Sequence, residues 1–136
     1  MATFESPVKV INASQEAIYN KFSNLNNLEG IKDKIPQDKV KDFQFDNDSC
    51  SFSVSPIGTL GIRVIEREPY KTIKFESEKS PIQFDLWIQI VKTGENESKI
   101  KLTIKAELSA FVKPLVSKPL QDALDKMADT MAMLPY

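Results

Sequence analysis

The sequence predicts an α+β fold in which a curved antiparallel sheet of about seven strands wraps around a long C-terminal helix. Residues 40–108 contain successive segments in which apolar and polar side chains alternate with a period of two, as in strands. Residues 111–134 instead repeat apolar side chains every three or four positions, as in a helix with one buried face. We expect that face to pack against the sheet, because the chain offers it no other broad apolar surface.

The N-terminal segment predicts a strand followed by a short helix. Residues 3–11 read as the first strand, with Phe4, Val8 and Val10 on one face. Ser14 is a suitable N-cap for a helix that runs to about residue 24. A second short helix is predicted at about residues 26–32, and the polar loop at residues 30–39 is the expected gate of any interior site.

Six further strands complete the predicted sheet, which gives the order β-α-α-β6-α. They are predicted at residues 40–46, 49–55, 59–68, 70–77, 82–92 and 99–108. The last two strands alternate most clearly, with Phe84, Leu86 and Ile88 on one face and Asp85 and Trp87 on the other. One dry face and one wet face are typical of an antiparallel sheet that is covered on one side.

The final segment predicts the long helix, with an interruption near its beginning. Its apolar stripe consists of Val112, Leu115, Val116, Leu120, Ala123, Leu124, Met127, Ala128 and Met131. Pro119 has no amide hydrogen for the carbonyl of Leu115, so we expect a kink or break at residues 117–119. The main helix should then run from about residue 118 to residue 133.

Composition predicts one domain over residues 1–136 and excludes several functions. Lys plus Arg is 18 and Asp plus Glu is 19, so no basic surface for nucleic acid is expected. No apolar run approaches the roughly 20 residues of a membrane span. The sequence has no histidine and one cysteine, Cys50, which excludes histidine-based catalysis and zinc sites built from His or paired Cys. We expect a soluble cytoplasmic protein without a cofactor.

The order of elements resembles the START-like, birch-pollen-allergen-like superfamily, abbreviated SRPBCC, which has the helix-grip fold. The resemblance spans essentially the whole chain. Its local marks are NASQEAIY at residues 12–19, VIEREPY at residues 64–70 and KPLQDALDKMA at residues 118–128. It implies a cavity between the sheet and the C-terminal helix, as in the lipid carriers, polyketide cyclases and small bacterial binding domains of this superfamily. These marks identify a fold and leave the chemistry open.

The apolar faces of the sheet and helix are the expected ligand-binding surface. Its predicted lining is Leu60, Ile62, Phe75, Phe84, Leu86, Ile88, Leu102, Ile104, Leu120, Leu124, Met127 and Met131. Tyr19 and Arg63 are the candidate polar groups of this pocket. A buried Arg63 would clamp a ligand carboxylate, whereas the alternative is a solvated charge on the outer face. The apolar lining has its own alternative, which is a fully packed core.

Three functions are consistent with these observations. The first is binding or carriage of an apolar small molecule or lipid. The second is a cyclase-like or hydrolase-like enzyme that uses the same cavity, for which no convergent pair of polar residues is recognisable. The third is a protein-interaction module or homodimer. Trp87 belongs to this last question: it either stacks on lysine stems, marks an interface, or points inward on a sheet of reversed facing.

Overall fold

The computed structural model describes residues 2–25, 40–46, 48–54, 57–134 and 136. The described elements are β1 (Ala2–Glu5), β2 (Lys9–Ile11), α1 (Gln15–Ser23), β3 (Val40–Phe45), β4 (Ser49–Val54), β5 (Gly58–Glu68), β6 (Thr72–Ser77), β7 (Gln83–Gly94), β8 (Glu97–Glu107) and α2 (Lys113–Met133). The second predicted short helix and the predicted gate loop lie outside the described residues. The α+β architecture predicted from the sequence is confirmed, with eight strands in the described part rather than about seven.

The strands form one antiparallel sheet with the order β1-β8-β7-β6-β5-β4-β3, and β2 also pairs with β8. Neighbours along this path follow each other in sequence from β3 to β8, so simple reversals of the chain build most of the sheet. The β7–β8 pair is the longest in the sheet, with Leu86 opposite Ile104 and Ile88 opposite Leu102. These side chains are buried on one face, as the alternation predicted.

The extra strand arises because the predicted first strand is interrupted at Ser6 and Pro7. Glu5 pairs with Thr103 and Lys9 with Ile100, so the N-terminal strand holds one residue more than β8 across the gap. Such a bulge reverses which residues face inward. The predicted facing was therefore wrong beyond the bulge: Val8 and Val10 are exposed, and Ile11 is buried instead.

The bulge keeps its hydrogen bonds through Ser6. The Ser6 amide donates to the Leu102 carbonyl at 2.9 Å, and the Leu102 amide donates to Ser6 Oγ at 2.9 Å. The Ser6 hydroxyl thus accepts the Leu102 amide in place of a backbone carbonyl, next to Pro7, which has no amide hydrogen for the ladder. The ladder therefore continues across the interruption.

Helix α1 begins and packs as its sequence predicts. Ser14 Oγ accepts the Ala17 amide at 3.1 Å, which caps the helix. Ile18 and Phe22, one turn apart, are buried, and the helix lies against β6 and β7. The carbonyl of Ser23 at its C-terminal end accepts hydrogen bonds from both Nε and Nη2 of Arg67, at 2.9 and 2.8 Å. Arg67 therefore ties α1 to β5.

Helix α2 is continuous from Lys113 to Met133, so a break at residues 117–119 was wrong, whereas a kink at Pro119 stays a prediction. Pro114 occupies the first turn, where a missing amide hydrogen is harmless, and Pro119 leaves only one carbonyl without its helical partner. Leu115 is 68% exposed, although the sequence stripe included it. Nine positions separate it from Leu124, which is about two and a half turns, so the two lie on opposite sides of the helix.

Candidate functional site

Helix α2 closes the concave face of the sheet. It lies close to β1, β2 and β8 on one side and reaches β4 on the other, and it approaches these strands more closely than β5, β6 and β7 between them. The middle of the sheet therefore curves away from the helix. The space between them is where the fold can accommodate large side chains or a ligand.

All twelve residues predicted to line this space belong to or pack against one continuous apolar cluster. Eleven of them are at most 6% exposed, and Met127 is partly buried at the edge of the cluster. Phe75, Phe84 and Leu86 come from the sheet, whereas Leu124 and Met131 come from the opposing face of α2. The chain thus brings together the whole predicted set from two walls that are far apart in sequence.

Tyr19 is the buried member of the two predicted polar candidates. It is 8% exposed on α1, and its ring meets that of Tyr70 edge to face, with centroids 5.6 Å apart and planes at 89°. Tyr70 follows Pro69 in the β5–β6 turn and has a φ of 66°. The Lys71 amide donates to the Glu68 carbonyl at 3.0 Å and closes this turn.

Tyr70 is a contact that the sequence analysis missed. Its backbone occupies the left-handed region, which usually favours glycine at this place in a turn after proline. A tyrosine there requires compensation, and the ring contact with Tyr19 provides it. The signal available in the sequence was a bulky residue directly after Pro69 in a predicted turn.

Arg63 lies on the outer face of the sheet, so its predicted place in the pocket was wrong. Its Nη2 donates to Glu76 Oε1 at 2.8 Å, and this hydrogen bond raises the pKa of the guanidinium. Arg63 alternates with the buried Ile62 along β5, and the regular pleat carries the two side chains to opposite faces. The solvated-charge alternative is the one observed.

Trp87 also lies on the outer face. The ammonium groups of Lys74 and Lys105 stand 5.1 and 5.7 Å from its ring centroid, one lysine from each neighbouring strand. This is stacking on lysine stems, the first of the three interpretations. The reversed facing is excluded, since Leu86 and Ile88 on either side of Trp87 are buried.

The interior of the described part shows no unpaired polar side-chain atom, no ionised thiol at neutral pH and no metal-binding cluster. Its buried side-chain oxygen and nitrogen atoms all have hydrogen-bond partners, and the hydroxyls of Ser98 and Thr130 donate to the carbonyls of Ala13 and Lys126. Burial raises the pKa of the Cys50 thiol to about 12, so it is protonated at neutral pH. Among the described residues, no group of three acidic or cysteine side chains is arranged to hold a metal.

Tyr136 closes one end of the apolar cluster, a role that no sequence pattern indicated. Its ring lies 6.0 Å from that of Phe22, with Lys21 Nζ 5.6 Å from its centroid. Its hydroxyl donates to the Met131 carbonyl at 2.6 Å. Burial raises the pKa of this phenol. Tyr136 therefore joins α1 to the C-terminal end of α2 beside the apolar cluster.

Two grooves on the outer surface are polar and differ in character from the interior. One, of about 380 Å³, lies over β3, β4 and β5 beside Glu78 and Lys79. The other, of about 310 Å³, is lined by Glu76, Asp85, Lys105 and neighbouring residues. Neither offers a continuous apolar wall, so the facing apolar surfaces of α2 and the sheet are the candidate site for an apolar ligand.

Comparison with known proteins identifies the fold but finds no sequence relative. No family model and no curated protein matches the chain. A START-superfamily protein from Mycobacterium smegmatis is 14% identical with a TM-score of 0.70, and the alignment covers 96% of this chain and 94% of that one. Norcoclaurine synthase from Thalictrum flavum, solved with dopamine and hydroxybenzaldehyde, is 16% identical with a TM-score of 0.72, covering 96% and 84%.

A protein from Thermus thermophilus is similar to the same extent, with 16% identity, a TM-score of 0.71 and coverage of 96% and 94%. At sequence identities this low, the similarity to these structures concerns the fold alone. No helix in the described part of the chain has the length and apolarity needed to span a membrane. The sequence resemblance is confirmed at the level of the fold: the chain has the helix-grip fold of START-superfamily and birch-pollen-allergen-like proteins.

Proposed function

We propose that this chain binds or carries an apolar small molecule or lipid between α2 and the concave face of the sheet. The observation that supports this most strongly is the uniform apolar character of the two facing walls. Leu60, Phe84 and Leu124 represent that surface, and the buried polar residues of the described part are Ser6, Ser98, Thr103 and Thr130, none of which is charged. A site of this kind recognises a ligand by its shape and by the water that it releases.

The energetics favour a wholly apolar ligand. Burial of about 300 Å² of apolar ligand surface would contribute about 7 kcal/mol before the loss of motion on association is subtracted. A charged ligand group would lose its hydration without gaining a partner, because Arg63 is held on the outer face by Glu76. Met127 and Met131 have flexible side chains that adapt to different ligand shapes.

Enzymatic activity is the second candidate, because norcoclaurine synthase shares the fold. An acid–base mechanism needs polar groups that converge on the ligand. In the described interior, Tyr19 is a buried phenol packed on Tyr70, whereas Arg63 and Asp85 belong to the outer face. Binding without catalysis therefore takes first place in the proposal.

We also infer that residues 1–136 form one such domain in the cytoplasm, where a lone buried thiol such as Cys50 persists.

Two methionines on α2 provide a matched test. Met131 is 5% exposed and belongs to the apolar cluster, whereas Met133, two residues later, is 70% exposed. We expect Met131→Trp to fill the interior and weaken binding of the neutral apolar dye N-phenyl-1-naphthylamine by about tenfold or more. Met133→Trp should leave binding unchanged. Fluorescence titration gives both affinities.

A third variant separates lost binding from lost folding. Met127 is partly buried at the edge of the cluster, so Met127→Trp places the indole near the same space with less disturbance of the core. Thermal unfolding followed by circular dichroism identifies the variants that remain folded. Equal dye affinity in all three folded proteins and the wild type would contradict the proposed site.

A further inference from the structure

The edge of the sheet formed by β1 and β2 has no strand beside it in the described part of the chain. Both strands pair with β8, and the sheet ends there. Val8 and Val10 lie beside this edge and are 55% and 52% exposed. A free edge next to exposed β-branched side chains is a place where a second copy of a protein can add a strand. The features that oppose such pairing can be identified from the hydrogen bonds along the edge.

The hydrogen bonds of Ser6 show which backbone groups point away from the sheet. The amide and the carbonyl of Leu102 both bond to Ser6, so Leu102 directs these groups toward the N-terminal strand. Backbone groups alternate in direction along a strand, so Ile104 does the same, and Phe4 opposite it directs its own groups toward β8. The next residue, Glu5, therefore directs its carbonyl outward to the free edge.

The outward positions in the middle of this edge already have partners or lack a hydrogen-bonding group. Gln121 Nε2 of α2 donates to the Glu5 carbonyl at 2.9 Å. Pro7, two residues after Glu5, has no amide hydrogen, and the Ser6 hydroxyl donates to its carbonyl at 3.0 Å. An added strand would find no donor at Pro7 and would have to share both carbonyls with existing hydrogen bonds.

Helix α2 runs beside this edge with a row of polar side chains, here called the polar row. It consists of Gln121, Asp125 and Asp129, which are spaced four residues apart and lie along one side of the helix. Gln121 Nε2 also donates to Asp125 Oδ1 at 2.9 Å, and Asp129 Oδ1 lies 2.6 Å from Nζ of Lys9 on β2. This ion pair is partly exposed, so it contributes little to stability. It nevertheless keeps two charged groups beside β2, which an approaching strand would have to displace or desolvate.

We infer that Pro7 and the polar row of α2 prevent a second copy of this chain from adding a strand at the β1–β2 edge. Proline, lysine and a covering element are general means by which edge strands are kept from pairing. Here they act on one edge, where Gln121 occupies the Glu5 carbonyl and Lys9 is held by Asp129. The inference holds whether or not the interior binds a ligand.

Two substitutions that restore outward hydrogen-bonding groups test the inference. Pro7→Thr supplies an amide hydrogen, and Gln121→Ala frees the Glu5 carbonyl. The double variant should self-associate, with a mean mass by light scattering about twofold or more above that of the wild type at the same concentration. The control makes the same two replacements, Pro81→Thr and Gln83→Ala, at exposed positions away from this edge. It should keep the mass of the wild type.

Circular dichroism identifies the variants that are folded under the conditions of the mass measurement. Gln121→Ala alone places a good helix former at a partly exposed helix position, so it decides the question if the double variant does not fold. Its mean mass should then exceed that of Gln83→Ala, and equal masses would overturn the inference. The inference is also overturned if the folded double variant has the mass of the wild type, or if the control associates as strongly.

Discussion

Replacement of Gly61 by alanine should destabilise the fold at one identifiable contact. Gly61 lies on the outer face of β5, opposite Ser51 of β4, and is buried by the segment that follows β6. The Glu78 amide donates to the Gly61 carbonyl at 2.7 Å. A methyl group on Gly61 would overlap the backbone carbonyl oxygen of Glu78 and stand 3.2 Å from its carbonyl carbon.

The magnitude follows from what must move. Backbone cannot rotate away as a flexible side chain can, so the segment at Glu78 must shift and its hydrogen bond to Gly61 must lengthen. Overpacking costs about 1–3 kcal/mol and the lost hydrogen bond about 1 kcal/mol. Alanine restricts the unfolded chain and returns about 0.4–1 kcal/mol. The net loss of unfolding free energy should be about 2 kcal/mol, or about 7 °C in Tm for a chain of this length.

Urea unfolding followed by circular dichroism measures the effect, and Gly94→Ala is the control. A methyl group on Gly94 would lie 3.6 Å from Glu97 Cβ, which is an ordinary contact. That variant should stay within about 0.5 kcal/mol of the wild type. If Gly61→Ala is as stable as Gly94→Ala, the close approach of Glu78 to β5 is refuted.

Three other predictions concern single side chains. Burial raises the pKa of the Cys50 thiol from 9.0 to about 12, so its contribution to stability is complete below pH 9.0 and is lost as the pH rises toward 12. At pH 8, Ellman's reagent should react with this thiol only as fast as the protein unfolds. Rapid reaction of the native protein would contradict this burial. Backbone hydrogen bonds from Asp48 and Ser49 lower the pKa of Asp46, so its contribution is present above pH 3.8 and is lost below it; Asp46→Asn should be less stable in urea at pH 7, with a difference that shrinks as the pH falls below 3.8. Arg67→Met should lower the unfolding free energy by about 1 kcal/mol, because it removes the hydrogen bonds to the last carbonyl of α1 and the partly exposed ion pair with Asp48. An equal loss of stability in Arg63→Met, which removes one exposed ion pair, would refute a special role for Arg67.

The fold was predictable where one pattern dominates a long segment. In β7 and β8, the alternation of residues such as Leu86 and Trp87 decided both strand position and facing. In α2, the buried stripe through Leu120 and Leu124 decided which side meets the sheet. These are the segments in which each side chain has one favourable environment, so local pattern and tertiary packing agree.

The errors arose where a single residue changes the periodicity. The bulge at Ser6 and Pro7 shifts the facing of the following residues by one, so Val8 and Val10 exchange places with Ile11. The break expected at Pro119 did not occur, because burial of the helix on both sides of the proline outweighs one missing hydrogen bond.

The candidate site was predictable in its apolar part and not in its polar part. Alternation and helical spacing were sufficient to collect Leu60, Phe84 and Met131 into one cluster. The contact between Tyr19 and Tyr70, and the position of Tyr136 against α1, depend on turn geometry and on long-range packing that no local pattern encodes. Whether two apolar walls enclose a ligand depends on the curvature of the sheet, which the sequence does not specify.

Native mass spectrometry of the freshly purified protein tests the central claim most directly. Apolar ligand binding under α2 predicts a retained adduct that solvent extraction releases as an apolar compound. The adduct should be absent from folded Met131→Trp and present in Met133→Trp. An adduct that both variants retain equally would contradict a ligand site between the helix and the sheet, as would a wild-type protein that stays free of adduct and binds no apolar dye.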